Sequence, residues 1–245
     1  MSDPIAVPGT PANGPEMSTA ETLTGIFFEP SRTFESLRAR PRFLVAGLIL
    51  VALAVVATVV LYLRVDMGQV IREQIERSPN AAQASEAQKE MQVRFGKIIG
   101  GVVRPLVVPI LIAVGAALYM LGVMAVGGAI SYKKAVSVWT YSWLPPFVLG
   151  VLIAILVLFL KSPDSIDPEQ IAVTNPGALL GEGSSKVLVA ILNQFDLLRF
   201  YGLFLAALGL RKVAKISSGQ AWAVVLGLYL ILALLRIGSA VLFGR

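Results

Sequence analysis

The chain has 245 residues, of which 56% are hydrophobic and 15% charged, with a mean hydropathy of +0.76 and a formal net charge of +6. Such a composition leaves too little polar surface for a soluble domain, and the absence of cysteine and histidine excludes disulfides, thiol nucleophiles, His-ligated haem, the commonest zinc sites and Ser-His or Cys-His pairs. The positive charge is spread over loops without a basic block interleaved with aromatics, a pattern of membrane topology rather than of nucleic-acid binding.

Residues 1–20, MSDPIAVPGTPANGPEMSTA, are rich in Pro, Gly and small polar residues and are expected to form a disordered tail ahead of a membrane domain over 21–243. Pro30 and Pro41 then bracket a short helix with Ser31 as its cap. Phe34 and Leu37 share one face, while Arg32, Arg38, Arg40 and Arg42 can reach anionic headgroups. The pattern predicts an interfacial helix lying on the membrane, with Phe34, Leu37 and Arg38 as its contact residues.

The first span, about 43–63, contains no charged side chain from Phe43 to Leu63 and as a helix would be about 32 Å long, enough to cross a bilayer core. It is too long and too far along the chain for a signal-peptide core, and it ends in Leu63-Arg64-Val65-Asp66, so it is expected to persist as a helix. Residues 64–97 break at Ser78-Pro79-Asn80, with helix-forming stretches over 65–76 and 81–95 that mix acids and bases. They predict a helical hairpin standing out of the membrane. The second span, about 107–130, has Pro109 in its first turn. The third, about 136–160, contains Pro145 and Pro146; two missing donors should kink or split it, and the freed carbonyls need protein or water rather than lipid.

Residues 161–186 form an acidic loop with Asp164, Asp167, Glu169 and Glu182, whose Gly181 to Lys186 run lacks phosphate-loop spacing. The fourth and fifth spans, about 187–210 and 220–243, carry an intramembrane polar cluster: Asn193, Gln194, Asp196 and Arg199 in one, Arg236 in the other. Asp196 lies fourteen residues before Leu210 and Arg236 sixteen after Gln220, so at about 1.5 Å per residue the two share a depth and are expected to pair near mid-bilayer. Gly115, Gly122 and Ala129, and likewise Gly202, Ala206 and Gly209, recur at intervals that give a helix a smooth stripe for close packing. The short loops at Lys133-Lys134 and Arg211-Lys212-Lys215 hold no acid and fall on the same side as Arg32 to Arg42. By charge bias the N-terminus is cytoplasmic and the C-terminus outside.

Three stretches carry a family resemblance. The pattern F-x-x-P-x-x-T-F-x-x-L-x-x-x-P (Phe27, Pro30, Thr33, Phe34, Leu37, Pro41), the run from Lys134 through Tyr141 to Pro145, and Asp196-Leu197-Leu198 followed by Gly209-Leu210, Ser217 and Ala221 resemble, in order and spacing, the Ypt-interacting protein (Yip) domain family. The resemblance covers about residues 21–243 and is strongest to compact prokaryotic members. It implies a five-helix membrane domain with a cytoplasmic N-terminus, and, in eukaryotic relatives, binding of Rab-type GTPases in vesicle traffic.

The expected fold is therefore all-α: a bundle of five transmembrane helices with an N-terminal interfacial helix and a hairpin between spans one and two, in the bacterial cytoplasmic (inner) membrane. The expected function is that of a non-enzymatic scaffold organising partner proteins or the bilayer, with no catalytic, cofactor or metal site. The alternative is a small-solute or ion transporter or channel using the intramembrane charges and the broken third helix. A lone intramembrane Asp without His or Cys does not supply the paired groups of a hydrolase.

Overall fold

The computed structural model describes residues 17–78, 83–162, 166, 171, 174–180 and 184–243, and among these every regular element is helical. The expected tail over residues 1–16, the acids Asp164, Asp167, Glu169 and Glu182, and the first half of the Gly181–Lys186 run lie outside the described residues. Residues 17–20, expected in the tail, are folded: Met17 is buried and Ser18 caps α1, Thr19–Phe28.

The capping is reciprocal. Ser18 Oγ accepts from the Glu21 N–H at 3.2 Å and Glu21 accepts from the Ser18 N–H at 2.6 Å, so two orphan donors are satisfied at once. The hydrogen bond from the Ser18 backbone holds the Glu21 carboxyl below its ordinary value. A turn at Glu29 leads into α2, Pro30–Ala39. Ser31 is not its cap, because Pro30 already occupies the first turn, where a missing N–H costs nothing.

α3, Leu44–Arg64, matches the first span. α4, Met67–Glu76, starts on Asp66, whose Oδ1 accepts from the Gly68 and Gln69 N–H groups. α5 then runs unbroken from Glu86 to Ala125. Its 40 residues make a rod about 60 Å long, so the second arm of the hairpin and the second span are one helix rather than two. Pro105 and Pro109 sit inside it. The span ends before Ala129, which follows the turn where Gly127 adopts φ 78°.

α6, Tyr132–Leu160, is continuous through Pro145 and Pro146, so the expected split does not occur. Both prolines and the residues whose carbonyls they free, Tyr141 and Ser142, are buried in protein, which keeps the unpaired oxygens away from lipid. The segment expected as the fourth span, by contrast, is divided. A short 3-10 turn (Pro176–Leu179) precedes α7, Lys186–Leu192; the chain then turns through 193–196, and α8, Leu197–Ala214, follows. α9, Ser218–Phe243, completes the bundle after a turn in which Lys215 is left-handed, φ 57°.

Among the described residues four helices are long and apolar enough to cross a membrane: α3, α5, α6 and α9. α6 is the hub, packed most extensively on α8 and also on α3 and α5. The core joins Leu50, Tyr119, Val123, Val138, Tyr141, Leu144, Ala206, Leu210 and Val225 with Ile26, Phe34 and Leu37 of the N-terminal helices.

Candidate functional site

Two places concentrate side chains that composition alone leaves unexplained. They lie at opposite ends of the bundle.

At the near end, α1 and α2 form a wedge between the start of α6 and the end of α8. Phe34 and Leu37 are fully buried, facing protein rather than the lipid expected for an interfacial helix. The reason is a gap. Gly209 has no side chain where Phe34 lies, and a Cβ built there would fall 2.8 Å from Phe34 and from Val138, closer than side-chain contacts allow. Gly25 does the same inside the wedge, where Met17 and Thr33 lean over its bare Cα. The hydroxyls of Thr22 and Tyr141 meet at 3.1 Å, and Glu35 pairs with Lys212 at 2.5 Å, both half-buried. Arg42 reaches back to the Met17 carbonyl at 3.1 Å. Arg38 follows Leu37 at the end of α2, where its charge complements the carbonyl end of the helix.

At the far end, the turn between α7 and α8 collects most of the predicted polar cluster. Asp196 is the N-cap of α8: Oδ1 accepts from the Arg199 N–H at 2.8 Å, and Oδ2 from Thr174 Oγ1 at 2.7 Å. Arg199 turns back over the break and donates to Gln194 Oε1 at 3.0 Å and to the Asn193 carbonyl at 3.3 Å. Buried Gln194 donates to the Ala190 carbonyl, and its own carbonyl accepts from Tyr229 on α9 at 2.7 Å. These bonds satisfy backbone groups released by the interruption, as discontinuous membrane helices require.

Arg236 does not join this knot. Among the described residues no ion pair links it to Asp196, and its charged neighbour is Arg199. Asp196 precedes the first residue of α8 and lies eighteen residues before its last, Ala214, or about 27 Å along the axis, so the carboxylate sits at a helix terminus. There a carboxylate is satisfied by backbone N–H groups and has no need of a distant guanidinium.

The small-residue stripes are occupied as packing surfaces. A Cβ at Gly115 would collide with Trp139, one at Gly122 would lie 2.5 Å from Val224, and one at Gly202 2.9 Å from Trp143.

Sequence reasoning missed Thr22, Glu35, Lys212, Thr174 and Tyr229, whose partners lie between 22 and 177 residues away. A local signal did exist for the Ser18–Glu21, Ser85–Gln88 and Ser217–Gln220 caps, each spaced i, i+3.

α4 and the first half of α5 form a helical hairpin between spans one and two. α4 lies against the first half of α5, Ile71 over Gly96, with Arg72 3.7 Å from Glu86 and the Tyr62 hydroxyl donating to the Lys97 carbonyl at 2.8 Å. Between the two arms is a cleft of about 540 Å³ lined by Ile71, Gln74, Ile75, Gln88 and Gln92.

No solved structure matches the chain. It is 26% identical over 223 residues to the membrane protein YknW of Bacillus subtilis (strain 168), covering 90% of each chain. The Yip1 domain model matches residues 24–240, from the middle of α1 nearly to the end of α9. The chain is a membrane protein with several apolar helices, and it belongs to the Yip1 domain family.

Proposed function

We propose that the chain is a non-enzymatic membrane scaffold that holds partner proteins at the far face of the bilayer through its helical hairpin. The observation that carries this reading is the continuity of α5: one helix of 40 residues is both a bundle member and the support of α4. A platform so built cannot swing freely on a loop, and it presents mixed charge, Glu73, Glu86, Lys89, Glu90 and Arg94, suited to reversible protein contacts. In this reading the chain crosses five times, α7 and α8 forming one interrupted span. The N-terminal wedge and the short basic loops then face the cytoplasm of a bacterial inner membrane.

Photo-crosslinkers at Glu90 and Gln92 are expected to capture discrete protein adducts in native membranes, while one at lipid-facing Leu152 captures none. Equal labelling of all three positions overturns the scaffold. A captured GTPase would extend to this chain the partner class that the family resemblance implies. Reporter fusions after Arg245 and at 133–134 should report opposite sides; the same side defeats the five-crossing topology.

A second reading, a solute path, is favoured by the break between α7 and α8, since interrupted helices often line binding sites. Here both Asp196 oxygens are already occupied by Thr174 and Arg199. A solute would have to displace those bonds, and uptake or currents in liposomes lost on Asp196→Asn are the measurement that would favour it.

A further inference from the structure

A groove of about 380 Å³ lies where α3, α5 and α6 meet, near the wedge end of the bundle. That volume is within the usual range of small-ligand pockets, which are apolar with a few placed polar groups. Its walls are apolar, among them Leu44, Gly47 and Val51 from α3, Pro109 and Ile112 from α5, and Val136 from α6. Gly47 makes room: a Cβ there would touch only Ile112, at 3.7 Å. Leu44 and Leu48, 70% and 67% exposed, form a rim that opens sideways on the apolar outer surface of the bundle.

Two groups in this apolar slot are polar and unmatched. Thr140 is 0% exposed, lines the groove, and its hydroxyl has no hydrogen-bond partner. The neighbouring hydroxyls on α6, Ser137 and Ser142, bond back to the carbonyls four residues earlier at 3.1 and 2.6 Å. Thr140 does not. A buried hydroxyl without a partner loses free energy that a ligand acceptor would restore. Lys133 lies seven residues before Thr140 on the same wall, exposed at the mouth, with no carboxylate within ion-pair distance among the described residues. None of the lining residues is acidic.

We propose that this groove binds one anionic glycerophospholipid, its phosphate on the Lys133 ammonium, an ester carbonyl accepting from the Thr140 hydroxyl, and the acyl chain along the apolar wall. Seven residues of helix separate the two polar anchors by about 10 Å along the axis, room for a phosphate at the mouth and its glycerol esters beside Thr140. Three features of the groove converge on one occupant: a cation at the mouth, an unmatched hydroxyl part-way down, and an apolar wall. The site is independent of the hairpin, so its failure would leave the scaffold reading untouched.

The test is native mass spectrometry and thermal unfolding of the full chain, stripped of lipid and then offered phosphatidylglycerol or phosphatidylcholine with matched acyl chains. The wild-type protein should retain phosphatidylglycerol about tenfold better, because both phosphates can reach Lys133 but the choline ammonium of phosphatidylcholine offsets its own phosphate charge there. Lys133→Gln should abolish that preference and Lys133→Arg should keep it. Thr140→Val should unfold no earlier than wild type when lipid-free, because it removes an unmatched hydroxyl, yet bind phosphatidylglycerol about fivefold more weakly. Gly47→Leu should reduce retention of both lipids by filling the slot. Equal retention of the two lipids by the wild type, or unaltered phosphatidylglycerol binding in both Lys133→Gln and Thr140→Val, would falsify the proposal.

Discussion

The two ends of the bundle are held by different physics. At the near end the wedge of α1 and α2 is seated by volume: Phe34 in the space left by Gly209, Ile26 and Leu37 fully buried, one hydroxyl pair and one ion pair at the margin. At the far end the interruption before α8 is held by hydrogen bonds from Asp196, Thr174, Arg199, Gln194 and Tyr229, while large apolar neighbours such as Phe195 and Leu197 stay exposed. Packing tolerates no substitution of size, whereas a polar knot tolerates size but not the loss of a donor or acceptor. The near end is therefore the rigid anchor of the fold and the far end the place where local opening costs least.

The contrast can be broken at several points. The largest effect is expected at Phe34→Ala, which empties a closed site and should cost about 3–5 kcal/mol. Denaturant unfolding in detergent micelles reads it, and a loss as small as that of an exposed Leu152→Ala control would show that the wedge is not core. Asp196→Ala should cost about 1–2 kcal/mol through the lost cap and the orphaned Thr174 hydroxyl. Arg236→Ala should leave stability nearly unchanged, and the exchange Asp196→Arg with Arg236→Asp should recover nothing; recovery would restore the ion pair expected from the sequence. Tyr229→Phe removes one bond to the Gln194 carbonyl and should cost about 1 kcal/mol, detectable as faster amide exchange in α7 with the wedge unaffected.

The smallest effect is a pH dependence outside the membrane. The Gln69 and Gly68 N–H groups hold the Asp66 carboxyl below its ordinary 3.8, so its cap is fully formed above that value and is lost as the pH falls through the lower, folded value. Amide exchange at Gly68 and Gln69 should accelerate only below about pH 3.8, and Asp66→Ala should remove the transition. An unchanged profile in that variant would assign the transition to other carboxylates.

What was legible without coordinates was whatever a single helix decides for itself. The unbroken apolar run from Phe43 to Leu63 is α3, the hairpin break near Ser78 separates α4 from α5, and the glycine stripes are close contacts. Local chemistry misled where a helix could continue against its own propensity. Pro145 and Pro146 predict a break that α6 does not show, because burial on α8 spares the freed carbonyls from lipid, whereas residues 193–196, which carry no proline, do interrupt the fourth apolar segment. There the Asp196 side chain competes for backbone donors and Thr174 supports it from across the loop.

Composition and periodicity by themselves determined that this is a membrane protein with several apolar helices and a helical hairpin between the first two, since apolar length and spacing are properties of consecutive residues. Only the tertiary structure decided which way the short amphipathic helix turns its apolar face. Phe34 and Leu37 would satisfy the same periodicity in lipid or in protein, and the missing side chain of Gly209, 175 residues after Phe34 in the chain, opens the space that draws them inward.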